Sequence, residues 1–149
     1  MNWSAPDLTQ HPPRSPRVRL GGFVLLPRML DKCRAALAGR NGEYHYDCPS
    51  DQQFFAFTGI AAGALREQVA AGKGDWEILE WVRAHLHPVR TTPEIEAWSA
   101  WMERRGPDNP EDREWFNGEH QRLGAARTDI VTYFDLLDAD DFVAFGGRA

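Results

Sequence analysis

The chain has 149 residues, 42% of them hydrophobic and 26% charged, with a net charge of −5. That length predicts one domain over residues 1–149, large enough to bury a sizeable core. A net acidic chain argues against non-specific nucleic-acid binding, no run nears the ~18 apolar residues of a membrane span, and two Cys make no disulfide framework.

No charged region followed by an apolar one opens the chain, so no secretory leader is expected and a reduced, cytoplasmic setting is the default. No cofactor is called for. The charge is unevenly spread. Residues 1–50 hold seven Lys/Arg and four Asp/Glu, a balance of +3 that leaves −8 for the remainder.

Taken in order, residues 1–19 read as an irregular, extended arm packed on the domain, because Pro6, Pro12, Pro13 and Pro16 forbid a regular helix. Pro13-Arg14-Ser15-Pro16 also fits a PxxP docking ligand. From Leu20 to Ala38 the pattern is helical. Leu26, Leu30, Cys33 and Leu37 form an apolar stripe, while Arg28, Asp31 and Lys32 lie on another face. Pro27 suits the first turn, so the regular helix is expected to begin there. Gly39 suits its end, and Asn41-Gly42 signals a turn. Glu43–Asp47 alternates as a short extended piece would. Ser50 with Gln53 predicts a capping box, followed by a short helix that buries Phe54 and ends at Gly59.

The remainder is helical punctuation. Leu65 and Val69 mark a helix closed by Gly72. Asp75 is a predicted cap for a helix carrying Ile78, Leu79, Val82 and Leu86. Thr92-Pro93 and Asn109-Pro110 each predict a start. Thr128 is read as the cap of a segment with Ile130, Phe134 and Leu137, and Asp138 as the cap of a last short turn. The fold class is all-α: a compact single domain of about seven short helices.

The runs Arg14–Arg17, Leu20–Gly22, Leu26–Lys32 and Asn41–Pro49 resemble a bacterial domain-of-unknown-function family, the one numbered 5069. The similarity continues through Gly72–Asp75, Glu77–Trp81, Trp98–Ala100, Tyr133–Asp138 and Phe145–Gly147. The resemblance implies a small helical bacterial protein and brings no catalytic residues with it.

The chemistry therefore rests on the residues themselves. The strongest candidate is a site for a small anionic metabolite. Gly21-Gly22 ahead of a helix can present bare N–H groups to an anion. Arg14, Arg17, Arg28 and Lys32 surround that stretch, and a guanidinium matches a carboxylate or phosphate with two parallel bonds. The competing reading pairs these cations with Asp31, Asp47, Asp51 or the acidic stretch Asp135, Asp138, Asp140 and Asp141. A second candidate is a small enzyme using His45, Asp47 or Cys48, with Cys48 just ahead of a helix N-terminus. Those three with Asp51 mix soft and hard ligands at no metal-binding spacing, so no metal site is assigned. His120, on an apolar helix face, reads as a hydrogen-bonded core histidine. A third candidate is a protein-interaction module using the proline-rich arm.

Overall fold

The computed structural model describes residues 5–148. Within them a two-strand hairpin, β1 (Arg19–Leu20) and β2 (Phe23–Val24), leads into seven helices. These are α1 (Leu26–Leu37), α2 (Pro49–Thr58), α3 (Ala62–Ala70), α4 (Asp75–Ala84), α5 (Thr92–Arg104), α6 (Pro110–Gly124) and α7 (Tyr133–Ala144). The predicted helical class stands, with the small hairpin as an addition that sequence reading did not contain.

The hairpin corrects the reading of Gly21-Gly22. The pair does not open a helix. It forms the two-residue loop of an antiparallel hairpin in which Leu20 faces Phe23. Both glycines have positive φ, 58° and 86°, as a loop of that length requires. A Cβ on Gly21 would meet the buried Leu79 side chain at 2.5 Å. Ser99 of α5 ties the hairpin down: its hydroxyl donates to the Gly22 carbonyl at 2.6 Å and accepts from the Val24 N–H at 3.1 Å. Helix α1 then starts at Leu26 with Pro27 in its first turn, as expected, and Gly39 follows its end at φ 69°.

Other helix starts also differ from expectation. Helix α2 is capped by Cys48 with Pro49 as its first residue, so the Ser50–Gln53 box does not form. Proline at that position presets the helical φ, which moves the start two residues earlier. Helix α4 follows Gly74, whose N–H donates to Glu77 at 3.2 Å, and Asp75 turns to arginines instead. Helix α5 is capped by Thr91, one residue before Thr92.

Residues 133–144 are one continuous helix rather than two pieces. Thr132 accepts from the Asp135 N–H at 3.1 Å while Asp135 accepts from the Thr132 N–H at 2.8 Å. That reciprocal cap replaces Thr128, and Asp138 lies inside the helix. Asn109 caps α6 as predicted, accepting from Asp112.

The main core joins Phe23 and Leu25 with Met29, Leu30 and Cys33 of α1, Phe54 of α2, Leu65 of α3, Ile78, Leu79 and Val82 of α4, and Trp98 of α5. Helix α1 packs on α3, α3 on α4, and α5 on both β2 and α7. A smaller cluster between α6 and α7 holds Phe116, Leu123, Ile130, Leu136 and Ala139. Each fully buried large apolar side chain contributes about 1.5–3 kcal/mol. His120 is half-buried, and its ring nitrogen meets the Arg127 carbonyl, in keeping with a structural histidine.

The extended arm does not stand out among the described residues. Residues 5–18 bend through turns near Leu8–Gln10 and Pro16–Arg17, with Leu8, Pro13 and Pro16 buried. The PxxP stretch is itself occupied: Arg14 and Ser15 bond Asp31 and Asp138. Residues 1–4 of the predicted arm lie outside the described part. Glu43–Asp47 is turn rather than strand.

Candidate functional site

One turn of α1 separates Arg28 from Lys32, so both project on the same side of the helix, away from its apolar stripe. Over them lies a cavity of about 640 Å³. Its walls come from the N-terminal turn (Leu8, Thr9), from Leu25 at the head of α1, from Gly42–His45, from Cys48 and Ser50 at the head of α2, and from Leu137, Asp140, Ala144 and Phe145 at the end of α7. Such a volume lies within the usual range for small-molecule sites, and apolar walls with a few placed polar groups are typical of them.

The cavity depends on local backbone choices. Leu8 donates to the Arg40 carbonyl at 2.8 Å, which holds the N-terminal turn against the end of α1. Gly42, at φ 54°, lets the next loop pass 2.9 Å from the Leu8 carbonyl measured from a Cβ it does not have. Leu25 is buried with φ 73°, a region rarely used by a leucine, and its N–H is fixed to the Pro16 carbonyl at 2.9 Å. Strain of about 1–3 kcal/mol at such a residue tends to gather at functional sites.

The four cations singled out from sequence do not converge. Arg14 sits apart from the cavity with both guanidinium edges occupied: Nε and Nη2 bond Asp31 at 3.0 Å each, and Nη1 bonds Asp75 at 2.7 Å. Arg17, half-exposed, spends its Nε on Asp138 and its Nη2 on Asp135. Neither Arg14, Arg17, Gly21 nor Gly22 lines the cavity. Arg28 and Lys32 do, although only 3% and 4% exposed.

Both cavity cations have buried counter-ions. Arg28 gives Nη1 to Asp141 at 2.7 Å and Nη2 to the same carboxylate at 3.1 Å. Nη1 also reaches the Arg14 carbonyl at 3.3 Å. Burial opposes the charge on Arg28, but hydrogen bonding to Asp141 and the charge of that carboxylate together outweigh it and raise the guanidinium above its ordinary value. Tyr44 completes this corner. Its ring lies under the guanidinium, 5.5 Å from centroid to carbon, and its hydroxyl donates to Asp141 at 2.9 Å. Burial, then the Asp141 charge, push that hydroxyl well above the ordinary tyrosine range, which keeps it a neutral donor.

Lys32 gives its ammonium to both oxygens of the fully buried Asp51, at 3.0 and 2.9 Å, and to Cys48 Sγ at 3.3 Å. Its three protons are thereby all engaged.

Arg28 differs from Arg14 in one respect that matters. Asp141 takes the edge formed by Nη1 and Nη2. The other edge, Nε with the second Nη2 hydrogen, has no partner among the described residues. No described side-chain nitrogen that is sealed from solvent lacks a partner. Nε is therefore not fully sealed from solvent, and Arg28 is among the residues that line the cavity.

The His45, Asp47, Cys48 set is only partly assembled. His45 and Cys48 line the cavity, and Asp47 does not. Asp47 sits at φ 63° and donates its N–H to Asp51 at 3.0 Å. Among the described residues no three His, Cys, Asp or Glu side chains gather as metal ligands. Sequence reasoning missed the α7 wall because it divided that helix in two. Read as one helix, Leu137, Asp140, Asp141 and Ala144 fall at spacings of three and four and share a face.

A family model described as Domain of unknown function (DUF5069) matches residues 10–143. The chain belongs to this family. The match spans Arg28, Lys32, Tyr44, Cys48, Asp51 and Asp141, so the charged floor of the cavity lies inside the family domain. A search of the curated proteins finds no match. No helix among the described residues is long and apolar enough to cross a membrane.

Proposed function

We propose that the protein binds a small molecule with a carboxylate head and an apolar body in the cavity between α1, the α1–α2 loop and α7. The observation that carries this reading is the open Nε/Nη2 edge of Arg28, a buried guanidinium whose other edge is already held by Asp141. A guanidinium fixed on one side and stacked on Tyr44 presents a rigid two-donor fork on the other, suited to a planar carboxylate. Leu8, Leu25, Leu137, Ala144 and Phe145 supply the apolar surface for the rest of the ligand.

The anion would not be drawn in by net positive charge, because Asp141 and Asp51 already compensate Arg28 and Lys32. Its affinity comes instead from two charge-assisted bonds and from apolar burial. This narrows the anionic-metabolite reading from four cations and a glycine pair to one edge of one arginine. The free thiols of Cys33 and Cys48 fit a reducing, cytoplasmic setting for such a protein.

The test is a melting-temperature comparison with hexanoate, hexanol and hexylamine. At a hundred times the dissociation constant a ligand adds about 2.7 kcal/mol, or roughly 5–10 °C for a chain of this size. Hexanoate should give such a shift, and Arg28→Lys should remove it while keeping a cation for Asp141. Equal shifts from all three compounds, or a hexanoate shift unchanged in Arg28→Lys, would reject the reading.

A further inference from the structure

Cys48 has a second feature that ligand binding does not use. Its sulfur, on the cavity wall, lies 3.3 Å from the Lys32 ammonium, and the same ammonium is held at 2.9–3.0 Å by Asp51. Cys48 is half-exposed, fixed in place as the residue that caps α2 ahead of Pro49. Lys32 and Asp51 are buried and cannot move apart cheaply. The nucleophilic amine thus contacts both the electrophile-to-be and the proton acceptor: the Cys48 sulfur and the Asp51 carboxylate.

We propose that Cys48 is a peroxide-reactive modification site whose oxidised sulfur is captured by Lys32 in a covalent sulfur–nitrogen cross-link. The co-reactant is a hydroperoxide small enough to enter the cavity. In the first step the thiol sulfur attacks one peroxide oxygen, an S–O bond forms as the O–O bond breaks, sulfur is oxidised by two electrons to the sulfenic acid, and the other oxygen of hydrogen peroxide leaves as water. In the second step Lys32 first gives one ammonium proton to Asp51, and the lone pair this frees on nitrogen attacks that sulfur. An S–N bond forms, the S–O bond breaks, and the hydroxyl leaves as water with a second lysine proton, while the third stays on nitrogen. The ammonium and the carboxylate both end neutral, so the product leaves no uncompensated charge in a site where one would be costly. Asp51 gives this pair a path to completion that an isolated Lys–Cys contact lacks.

Cys33 does not compete for the oxidant. It is fully buried in the core, and burial pushes its thiol up to about 11, which leaves the unreactive neutral form. The cross-link would also remove a cation from the cavity wall, so it would alter the same space that the ligand occupies.

The test uses the whole chain with graded hydrogen peroxide, intact mass measurement and peptide mapping. The expected product is about 2 Da lighter than the reduced protein, yields a peptide joining Lys32 to Cys48, and reverts with dithiothreitol. Cys33→Ser should keep the mass loss, while Cys48→Ser and Lys32→Arg should abolish it. A loss that vanishes in Cys33→Ser would mean a disulfide and would overturn the proposal. So would wild-type Cys48 advancing to sulfinic acid with the Lys32 peptide unlinked. The wild-type map decides the matter even if Lys32→Arg folds poorly.

Discussion

Replacing Lys32 by Met removes the charge of a buried pair while keeping most of the side-chain volume. Asp51, 0% exposed, would keep a single donor, the Asp47 N–H at 3.0 Å. Removing one partner of a buried ion pair costs about 3–5 kcal/mol, against about 0–1 kcal/mol for an exposed pair. For a chain of this size that corresponds to a fall in melting temperature of roughly 6–20 °C. Lys32→Met with Asp51→Asn should recover a large part of the loss, because the amide keeps an acceptor for Asp47 and leaves no buried charge. Urea denaturation of wild type, both single variants and the double variant completes the cycle. A cost near that of an exposed pair, or strict additivity of the two substitutions, would refute the account of this floor.

Asp75 makes a prediction about acid. Burial alone would raise its carboxyl, but hydrogen bonds from Arg14 and then Arg34 outweigh that and hold it below 3.8. A carboxyl lowered on folding stabilises above its unfolded value of about 3.9 and loses that contribution as the pH falls through the lower folded value. Denaturation midpoints of wild type and Asp75→Asn should therefore differ at pH 6 and converge toward pH 2, and a constant difference would contradict it. Gly21→Ala and Gly22→Ala both meet a positive φ, but the first also meets the Leu79 side chain at 2.5 Å, whereas the second meets Ile95 at 3.4 Å. The first should cost about 1–3 kcal/mol more than the second by denaturation, the penalty of overpacking. With a maleimide reagent Cys48 should label in the native state and Cys33 only on unfolding, and native labelling of Cys33 would contradict its burial.

How far the sequence carried can be read from particular residues. Helix positions followed from Leu26, Leu30 and Cys33, from Leu65 and Val69, and from Ile78, Leu79 and Val82, because a 3.6-residue apolar period is a local signal. Asn109 and Gly59 marked helix ends correctly for the same reason. The hairpin stayed hidden because two-residue strands have too little alternation to register, and a glycine pair serves a turn and an anion loop equally well. The site was legible only in part. Arg28, Lys32, His45 and Cys48 do share a cavity, but what distinguishes Arg28 from Arg14 is which guanidinium edge a distant aspartate occupies. Asp141 lies 113 residues from Arg28, and no spacing rule reaches that far.

The most direct measurement is the ¹⁵N–¹H resonance of the Arg28 Nε–H during a hexanoate titration. The account predicts a saturable downfield proton shift at that resonance, absent with hexanol, while the Nε–H of Arg14 and Arg17 stay in place. Saturable binding that leaves the Arg28 Nε–H unmoved would contradict it.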